Sequence, residues 1–120
     1  MPVTLYALTI DCANAARLAE FWAAVLGQPV DEDATGEFAS IGFAAARRAG
    51  PAWTFAKVPE GKTSKNRVHP DLVAADLDTE VSRIVGLGAS RKAEYDEGGY
   101  RWITLTDPEG NEFDVMAADA

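Results

Sequence analysis

The segment YRWITLTDPEGNEFDVM, residues 100–116, predicts two β-strands joined by a tight turn. The DPEG tetrapeptide at 107–110 supplies the proline and glycine that such turns favour, and extended segments at 100–106 and 112–117 flank it. The first of these segments has a gap-free counterpart in FASIGFA, residues 38–44, which lies 62 residues earlier. Similarity at a fixed offset indicates that one structural unit is used twice.

The repeat extends outward from these strands. Runs typical of a strand occur at residues 5–11 (LYALTID) and 68–75 (VHPDLVAA), and each is followed by apolar residues at helical spacing. Each helix is predicted to begin after a capping residue and to end at a glycine: Asn14 and Gly27 in the first copy, Asp76 and Gly88 in the second. Strand and helix therefore follow in the same order in both copies.

Three extended segments follow each helix, so the predicted unit is βαβββ. They lie at residues 28–34, 38–44 and 52–58 in the first copy, and at 90–96, 100–106 and 112–117 in the second. The predicted fold class is α+β, with two tandem βαβββ modules forming a concave, half-open mixed sheet and the helices on the outside. Within one domain, residues 1–120, we expect a first module at 3–58, a polar linker at 59–67 and a second module at 68–117.

The bulk composition disfavours several classes of protein. With 120 residues and 48% hydrophobic content, the chain can bury one core as a single domain. A net charge of -8 disfavours nucleic acid and anionic membranes as partners, because their phosphates would be repelled. The N-terminal residues lack the basic start of a signal peptide, and Cys12 is the only cysteine, so we expect a reducing, cytoplasmic location.

Alternation along the strands separates a helix-covered face from an open face. The apolar side chains predicted beneath the helices are Leu8, Ile10, Ile41, Phe43, Trp53, Phe55, Leu72, Ile103, Leu105, Phe113 and Val115. The opposite face mixes large aromatic and polar side chains, which is typical of a ligand-binding concavity. Its candidate ligand-binding residues are Thr9, Phe38, Ser40, Thr54, Asp71, Tyr100, Trp102, Thr104, Glu112 and Met116, and His69 shares that face. The alternative is that Tyr100 and Trp102 pack against a partner subunit.

Three segments of this duplicated chain together resemble one known superfamily. They are NAARLAEFWAAVLG (14–27), the connector VPEGKTSKNRVHPDL (58–72) and the ending LTDPEGNEFDVM (105–116). The sequence resembles the vicinal-oxygen-chelate superfamily, which includes glyoxalase I, the bleomycin-resistance proteins and the extradiol dioxygenases. The likeness is greatest to small bacterial glyoxalase-like proteins, and it covers nearly the whole chain.

The resemblance also implies where a metal would be held. In metal-dependent members, each unit supplies one ligand from its first strand and one from its last. The matched positions are His69 and Asp114 in the second unit, and Ala7 with either Thr54 or Ala56 in the first. A catalytic metal site needs about three protein ligands, and these positions supply two. We therefore expect no firmly held metal and no other cofactor; the alternative is a weakly bound divalent metal at His69 and Asp114.

Three functions remain open. The favoured one is metal-independent binding of a small, partly aromatic or apolar molecule, by analogy with resistance proteins that sequester drugs. The second is a lyase or isomerase in which His69 and Asp114 form the catalytic pair, the carboxylate orienting the imidazole for proton transfer. The third is a module kept for assembly, since the resemblance and the exposed sheet edges predict a homodimer. A structural role for His69, hydrogen-bonded to a carboxylate at the end of the linker, also stays open.

Overall fold

The computed structural model describes residues 2–43 and 50–118. The chain divides into two compact units, Met1–Gly61 and Lys62–Ala120, and the described residues of each form one helix and one open mixed sheet. This arrangement confirms the predicted α+β class. Among the described residues, no helix is both long enough and apolar enough to cross a membrane.

The first unit contains β1 (Ala7–Cys12), α1 (Ala15–Leu26), β2 (Phe38–Ile41) and β3 (Ala52–Lys57). Its strand order is β1-β3-β2, with β1 parallel and β2 antiparallel to the central β3. The parallel pair needs a crossover connection, which α1 supplies in part. The central strand of this sheet, β3, is therefore the last of its three strands along the chain.

Helix α1 begins and ends where the sequence predicts. The Asn14 side chain accepts a hydrogen bond from the Arg17 backbone N–H at 3.1 Å, and Gly27 adopts the left-handed conformation with φ 67°. The predicted apolar face is buried, and Trp22 packs against Trp53 of β3 with 4.8 Å between ring centroids. Burial of this face fixes the helix to one side of the sheet and leaves the other side open.

The second unit contains β4 (Asp71–Ala74), α2 (Leu77–Gly86), β5 (Ser90–Glu97), β6 (Tyr100–Thr106) and β7 (Glu112–Ala117). Its strand order is β4-β7-β6-β5, in which β4 is parallel to β7 and the other neighbours are antiparallel. This unit has the predicted βαβββ order in full. The parallel β4–β7 pair brings the start of the unit beside its end.

The β6–β7 turn has the structural role predicted for DPEG. The Asp107 carbonyl accepts the Gly110 N–H at 2.8 Å, and the buried Asp107 carboxylate accepts the backbone N–H groups of Glu109 and Asn111. Helix α2 is capped by Asp76, whose side chain accepts the Thr79 N–H at 3.1 Å. Local sequence signals therefore determine both features.

The first unit departs from the prediction at residues 28–34, which form no strand. Pro29 lacks an N–H to donate, and Asp33 has φ 69°, which a regular strand does not accommodate. The Asp31 N–H still reaches the Ser40 carbonyl at 2.9 Å, so the segment follows β2 without joining the sheet. Among residues 2–43 and 50–61, the first unit therefore shows the order βαββ.

Three smaller differences affect the candidate site. Strand β4 begins at Asp71, so His69 precedes the strand that was predicted at 68–75. Strand β2 ends at Ile41, earlier than the predicted 38–44, and Ala44 lies outside the described residues. Phe43 was predicted beneath the helix, but it is 43% exposed and packs edge-on against Tyr6.

Candidate functional site

A row of polar side chains crosses the open face of the second sheet. Asp71 of β4 is paired with Asp114 of β7, which in turn is paired with Thr104 of β6. The Thr104 hydroxyl donates to Oδ1 of Asp114 at 2.6 Å. Because residues paired across strands share a face, the sheet register itself brings these three predicted side chains together.

His69 lies at the end of this polar row. Its Nδ1 is 3.1 Å from Oδ1 of Asp71 and 3.7 Å from Oδ2 of Asp114. The following residue, Pro70, accepts the Asp114 backbone N–H at 3.0 Å, which joins the approach to β4 onto β7. The two residues predicted as a catalytic pair, His69 and Asp114, are thus adjacent, and Asp71 lies closer to the imidazole than Asp114 does.

An apolar row lies beside the polar row on the same face. Val73, Met116 and Trp102 are paired across β4, β7 and β6, and Tyr95 of β5 stacks on Trp102 with 5.1 Å between centroids. Val73 is 66% exposed and Tyr100 is 63% exposed. Val73, Tyr100, Trp102 and Met116 line a concavity of about 450 Å³, and Glu97 and Arg101 also line it. Large exposed apolar side chains in a concavity are typical of a binding surface.

Glu112 was predicted on the ligand-facing surface, but it is buried, with 6% exposure. Its Oε1 accepts the Asn66 backbone N–H at 2.9 Å, and its Oε2 accepts Lys92 Nζ at 3.0 Å. Lys62 Nζ lies 3.5 Å from Oε1. The Asn66 N–H and then the Lys92 ammonium outweigh the effect of burial and lower the pKa of Glu112 to about 2. Both oxygens of this carboxylate are therefore engaged within the second unit.

The first unit carries hydroxyl groups where the second carries carboxylates. Thr9, 62 residues before Asp71, is paired with Thr54 just as Asp71 is paired with Asp114, and their hydroxyls are hydrogen-bonded. Ser40 is the next partner in this register. Thr54 is therefore the counterpart of Asp114. Of the two residues that the sequence offered for this ligand position, Thr54 and Ala56, the strand register selects Thr54. Neither threonine offers the donor strength of a carboxylate to a metal.

Asp31 holds the end of β2 in the first unit, a role that the sequence did not reveal. Its carboxylate accepts the Ser40 hydroxyl at 2.7 Å and the backbone N–H groups of Phe43 and Gly42 at 2.9 Å and 3.2 Å. Burial alone would raise the pKa of Asp31, but these three hydrogen bonds lower it. The hydroxyl of Ser40, a predicted ligand-binding residue, thus binds Asp31 in the loop before β2. Phe38, another predicted ligand-binding residue, is 49% exposed.

The donor set of the second unit fits a divalent cation. His69, Asp71 and Asp114 each offer one ligand atom, and these atoms lie within 4.8 Å of one another. One imidazole and two carboxylates suit ions such as Mn²⁺ or Zn²⁺. The sequence predicts two ligands in this unit, His69 and Asp114, and predicts Asp71 only as a residue of the open face. The parallel register with Asp114 supplies the third.

Comparison with known proteins agrees with this architecture. A sequence model of the glyoxalase-like domain matches residues 7–116, nearly the whole chain. The chain belongs to the glyoxalase-like domain family. This family match agrees with the resemblance that the sequence shows. No curated protein matches the glyoxalase-like chain significantly.

Solved structures share the fold of the glyoxalase-like chain at low sequence identity. A glyoxalase/bleomycin resistance protein/dioxygenase family enzyme from Burkholderia phytofirmans PsJN matches with TM-score 0.77 and 17% identity, covering 98% of this chain and 100% of its own. The fosfomycin resistance protein FosX from Listeria monocytogenes matches with TM-score 0.73 and 16% identity, covering 99% and 96%. Lactoylglutathione lyase from Agrobacterium tumefaciens matches with TM-score 0.66 and 14% identity, covering 98% and 96%. These matches show the fold alone, since one fold hosts several activities.

Proposed function

We propose that this glyoxalase-like protein binds a small, partly aromatic or apolar molecule on the open face of its second unit. The observation that carries the proposal is the concavity of about 450 Å³ beside the His69 row. Trp102 and Met116 supply an apolar floor, and Tyr95 supports Trp102 from β5. A ligand with a flat apolar body and one hydrogen-bonding group would use both rows at once.

The polar row is suited to orient such a ligand. Asp114 is held by the Thr104 hydroxyl, and His69 lies between two carboxylates. A few fixed polar groups next to an apolar surface are what small-molecule sites use to select orientation. This form of recognition needs no resident metal, in agreement with the function favoured by the sequence.

A direct test uses 2-naphthol, which has a flat aromatic body and one hydroxyl group. We expect it to raise the midpoint of thermal unfolding, because a ligand of the native state stabilises the fold. Trp102→Ala should remove most of this stabilisation. Leu87→Ala is the control, since Leu87 is an apolar side chain that is 39% exposed and lies away from the concavity, at the end of α2. Absence of stabilisation in the unmodified protein, or full stabilisation of Trp102→Ala, contradicts the proposal.

A second candidate is an acid–base enzyme of the lyase or isomerase type. It is favoured by the 3.1 Å and 3.7 Å separations between His69 Nδ1 and the carboxylates of Asp71 and Asp114. A carboxylate beside an imidazole orients it for proton transfer, which suits removal of a proton next to a carbonyl. Exchange of the α-protons of 2-tetralone in D₂O, followed by NMR, measures this step. His69→Ala should abolish protein-catalysed exchange while the fold stays intact; unchanged exchange would exclude His69 as the base.

The alternative of a weakly bound divalent metal involves the same three residues. His69, Asp71 and Asp114 would hold the ion, and a bound divalent ion supplies Lewis-acid polarisation of a ligand oxygen. Titration with Mn²⁺ should broaden the imidazole NMR signals of His69, the only histidine in the chain. Asp71→Asn should weaken that broadening, whereas Asp96→Asn, on exposed β5, should not. Equal broadening in both variants speaks against this site.

We further propose that the protein is a homodimer, as the family resemblance implies. If the apolar row is instead a subunit contact, Trp102→Ala should shift the protein toward monomer in sedimentation velocity. A 2-naphthol complex that leaves the sedimentation coefficient unchanged favours ligand binding over assembly. The two functions of this surface are thereby separated by one pair of measurements.

A further inference from the structure

We propose that Asn66 and Glu112 are positioning residues that hold His69 at the candidate site. The inference rests on the proposed function for its effect on ligand binding, although its geometry stands independently. Asn66 belongs to the predicted linker, and Glu112 was predicted to face the ligand. Neither residue is among the groups that face His69 in the polar row.

Asn66 and Glu112 exchange two hydrogen bonds. The Asn66 backbone N–H donates to Oε1 of Glu112 at 2.9 Å, and the Glu112 backbone N–H donates to Oδ1 of Asn66 at 3.2 Å. Each residue thus uses its side chain to satisfy the backbone of the other. With Glu112 only 6% exposed, this reciprocal pair is shielded from competition by water. We call this pair the clasp.

His69 lies between the clasp and a second attachment point. At one end Asn66 is joined to Glu112, and at the other Pro70 accepts the Asp114 N–H at 3.0 Å. Glu112 and Asp114 are two residues apart on one strand, about 7 Å at strand spacing. Four residues of chain from 66 to 70 can span about 13–14 Å when extended. The segment thus contains more chain than the spacing of Glu112 and Asp114 along the strand requires, and it is held at both ends.

Because His69 lies between the two attachments, its position depends on both of them. Pro70 limits the backbone of His69 to extended conformations, which removes part of its freedom. The clasp removes freedom at the other end of the segment. Without it, the imidazole would have to be ordered again whenever a ligand binds, at a cost typical of one immobilised side chain. The clasp is therefore expected to preorganise the site.

Lys92 provides a matched control because it contacts the same carboxylate on its other side. Its Nζ is 3.0 Å from Oε2 of Glu112, whereas the clasp uses Oε1. Lys92→Met removes this charge pair and leaves both clasp hydrogen bonds available. A positioning role predicts that Asn66→Ala and Lys92→Met have different effects on His69. A purely structural role of Glu112 predicts similar effects.

The experiment follows the imidazole C–H resonances of His69, which need no assignment because the chain has one histidine. We expect Asn66→Ala and Glu112→Ala to shift and broaden these resonances and to weaken 2-naphthol binding about three- to tenfold. Glu112→Gln, whose amide oxygen can still accept the Asn66 N–H, should remain closer to the unmodified spectrum. Lys92→Met should leave the resonances in place.

Each outcome decides for or against the inference. Unchanged imidazole resonances in folded Asn66→Ala overturn it, and so does an equal shift in Lys92→Met. If Glu112→Ala does not fold, Asn66→Ala alone gives the answer, because it removes one side chain, whose Oδ1 accepts the Glu112 N–H and whose Nδ2 donates to the Val68 carbonyl at 3.4 Å. If 2-naphthol fails to bind the unmodified protein, the proposed ligand class is wrong, while the imidazole spectra still decide whether the clasp positions His69.

Discussion

The hydroxyl of Thr104 donates to Oδ1 of Asp114 at 2.6 Å, while Oδ2 of the same carboxylate lies 3.7 Å from Nδ1 of His69. The two oxygens of Asp114 thus have different partners. One is fixed by a neighbouring strand, and the other is directed toward the imidazole. Thr104 is therefore expected to set the orientation of the carboxylate.

Replacing Thr104 by valine tests this orientation. Thr104→Val keeps the branched shape but removes the donor, and a hydrogen bond to a charged group contributes about 1.5–3 kcal/mol at most. Because Asp114 is 17% exposed and can recruit water, we expect a loss of about 1 kcal/mol in the free energy of unfolding, measured with urea. Thr106→Val, two residues along β6, is the control. A loss no greater than that of the control would show that Thr104 does not hold Asp114.

Glu112 is expected to make the stability of the protein depend on acidic pH. Its pKa is lowered from the usual 4.5 to about 2 in the folded protein. A carboxyl group with a lowered folded pKa binds protons less readily than in the unfolded chain, so its contribution is present above pH 4.5. That contribution should be lost progressively as the pH falls from about 4.5 to about 2.

The pH dependence can be isolated with Glu112→Gln, which cannot titrate. The difference in unfolding free energy between the two proteins, measured with urea, should shrink as the pH falls through this range. Other carboxylates contribute equally to both proteins and cancel in the difference. A difference that stays constant between pH 5 and about pH 2 would mean that Glu112 is not linked to folding in this way.

Asp31 should be more important for stability than its loop position suggests. Asp31→Asn places an amide group where the carboxylate accepts three hydrogen bonds, from the Ser40 hydroxyl and from the backbone of Gly42 and Phe43. We expect a loss of about 1–2 kcal/mol in the free energy of unfolding. Asp33→Asn is the matched control, because Asp33 has φ 69° and asparagine tolerates the left-handed region well. Equal losses in the two variants would contradict the assigned role of Asp31.

The Tyr95–Trp102 pair should contribute to stability as a unit. The rings are 5.1 Å apart with an interplanar angle of 20°, a stacked arrangement on neighbouring strands. A double-mutant cycle with Tyr95→Ala, Trp102→Ala and the combined variant should give a coupling free energy of about 0.5–1.5 kcal/mol. Additive losses would show that the two rings do not stabilise each other.

The features that the sequence predicts correctly are governed by neighbouring residues. Helix α1 begins after Asn14 and ends at Gly27 as expected, and the DPEG turn joins β6 to β7. Caps, turns and helical periodicity depend on residues that are close together in the chain, so the local sequence predicts them. The strand prediction at 28–34 was wrong because Pro29 has no N–H to donate and Asp33 has φ 69°, and the carboxylate of Asp31 binds the end of β2, a contact that no local pattern shows.

The candidate site could be predicted only in part. His69 and Asp114 were identified through the family resemblance, and the structure places them side by side. Asp71 as the third potential ligand depends on the parallel register of β4 and β7, which no local pattern encodes. The alternation along β7 predicts that Glu112 faces the ligand. Its carboxylate instead accepts the N–H of Asn66, 46 residues earlier in the chain.

The sequence by itself determined the α+β class, the repeated strand–helix order with Asn14 and Asp76 as the N-caps of the described helices, and the shared face of Asp71, Thr104 and Trp102. Periodicity and turn chemistry are properties of the local chain, so they need no knowledge of distant contacts. The tertiary structure decided which side chains meet: the His69 row, the stacked Tyr95–Trp102 pair and the Asn66–Glu112 clasp. These contacts depend on strand register and on residues far apart in the chain, and both are fixed only when the sheet forms.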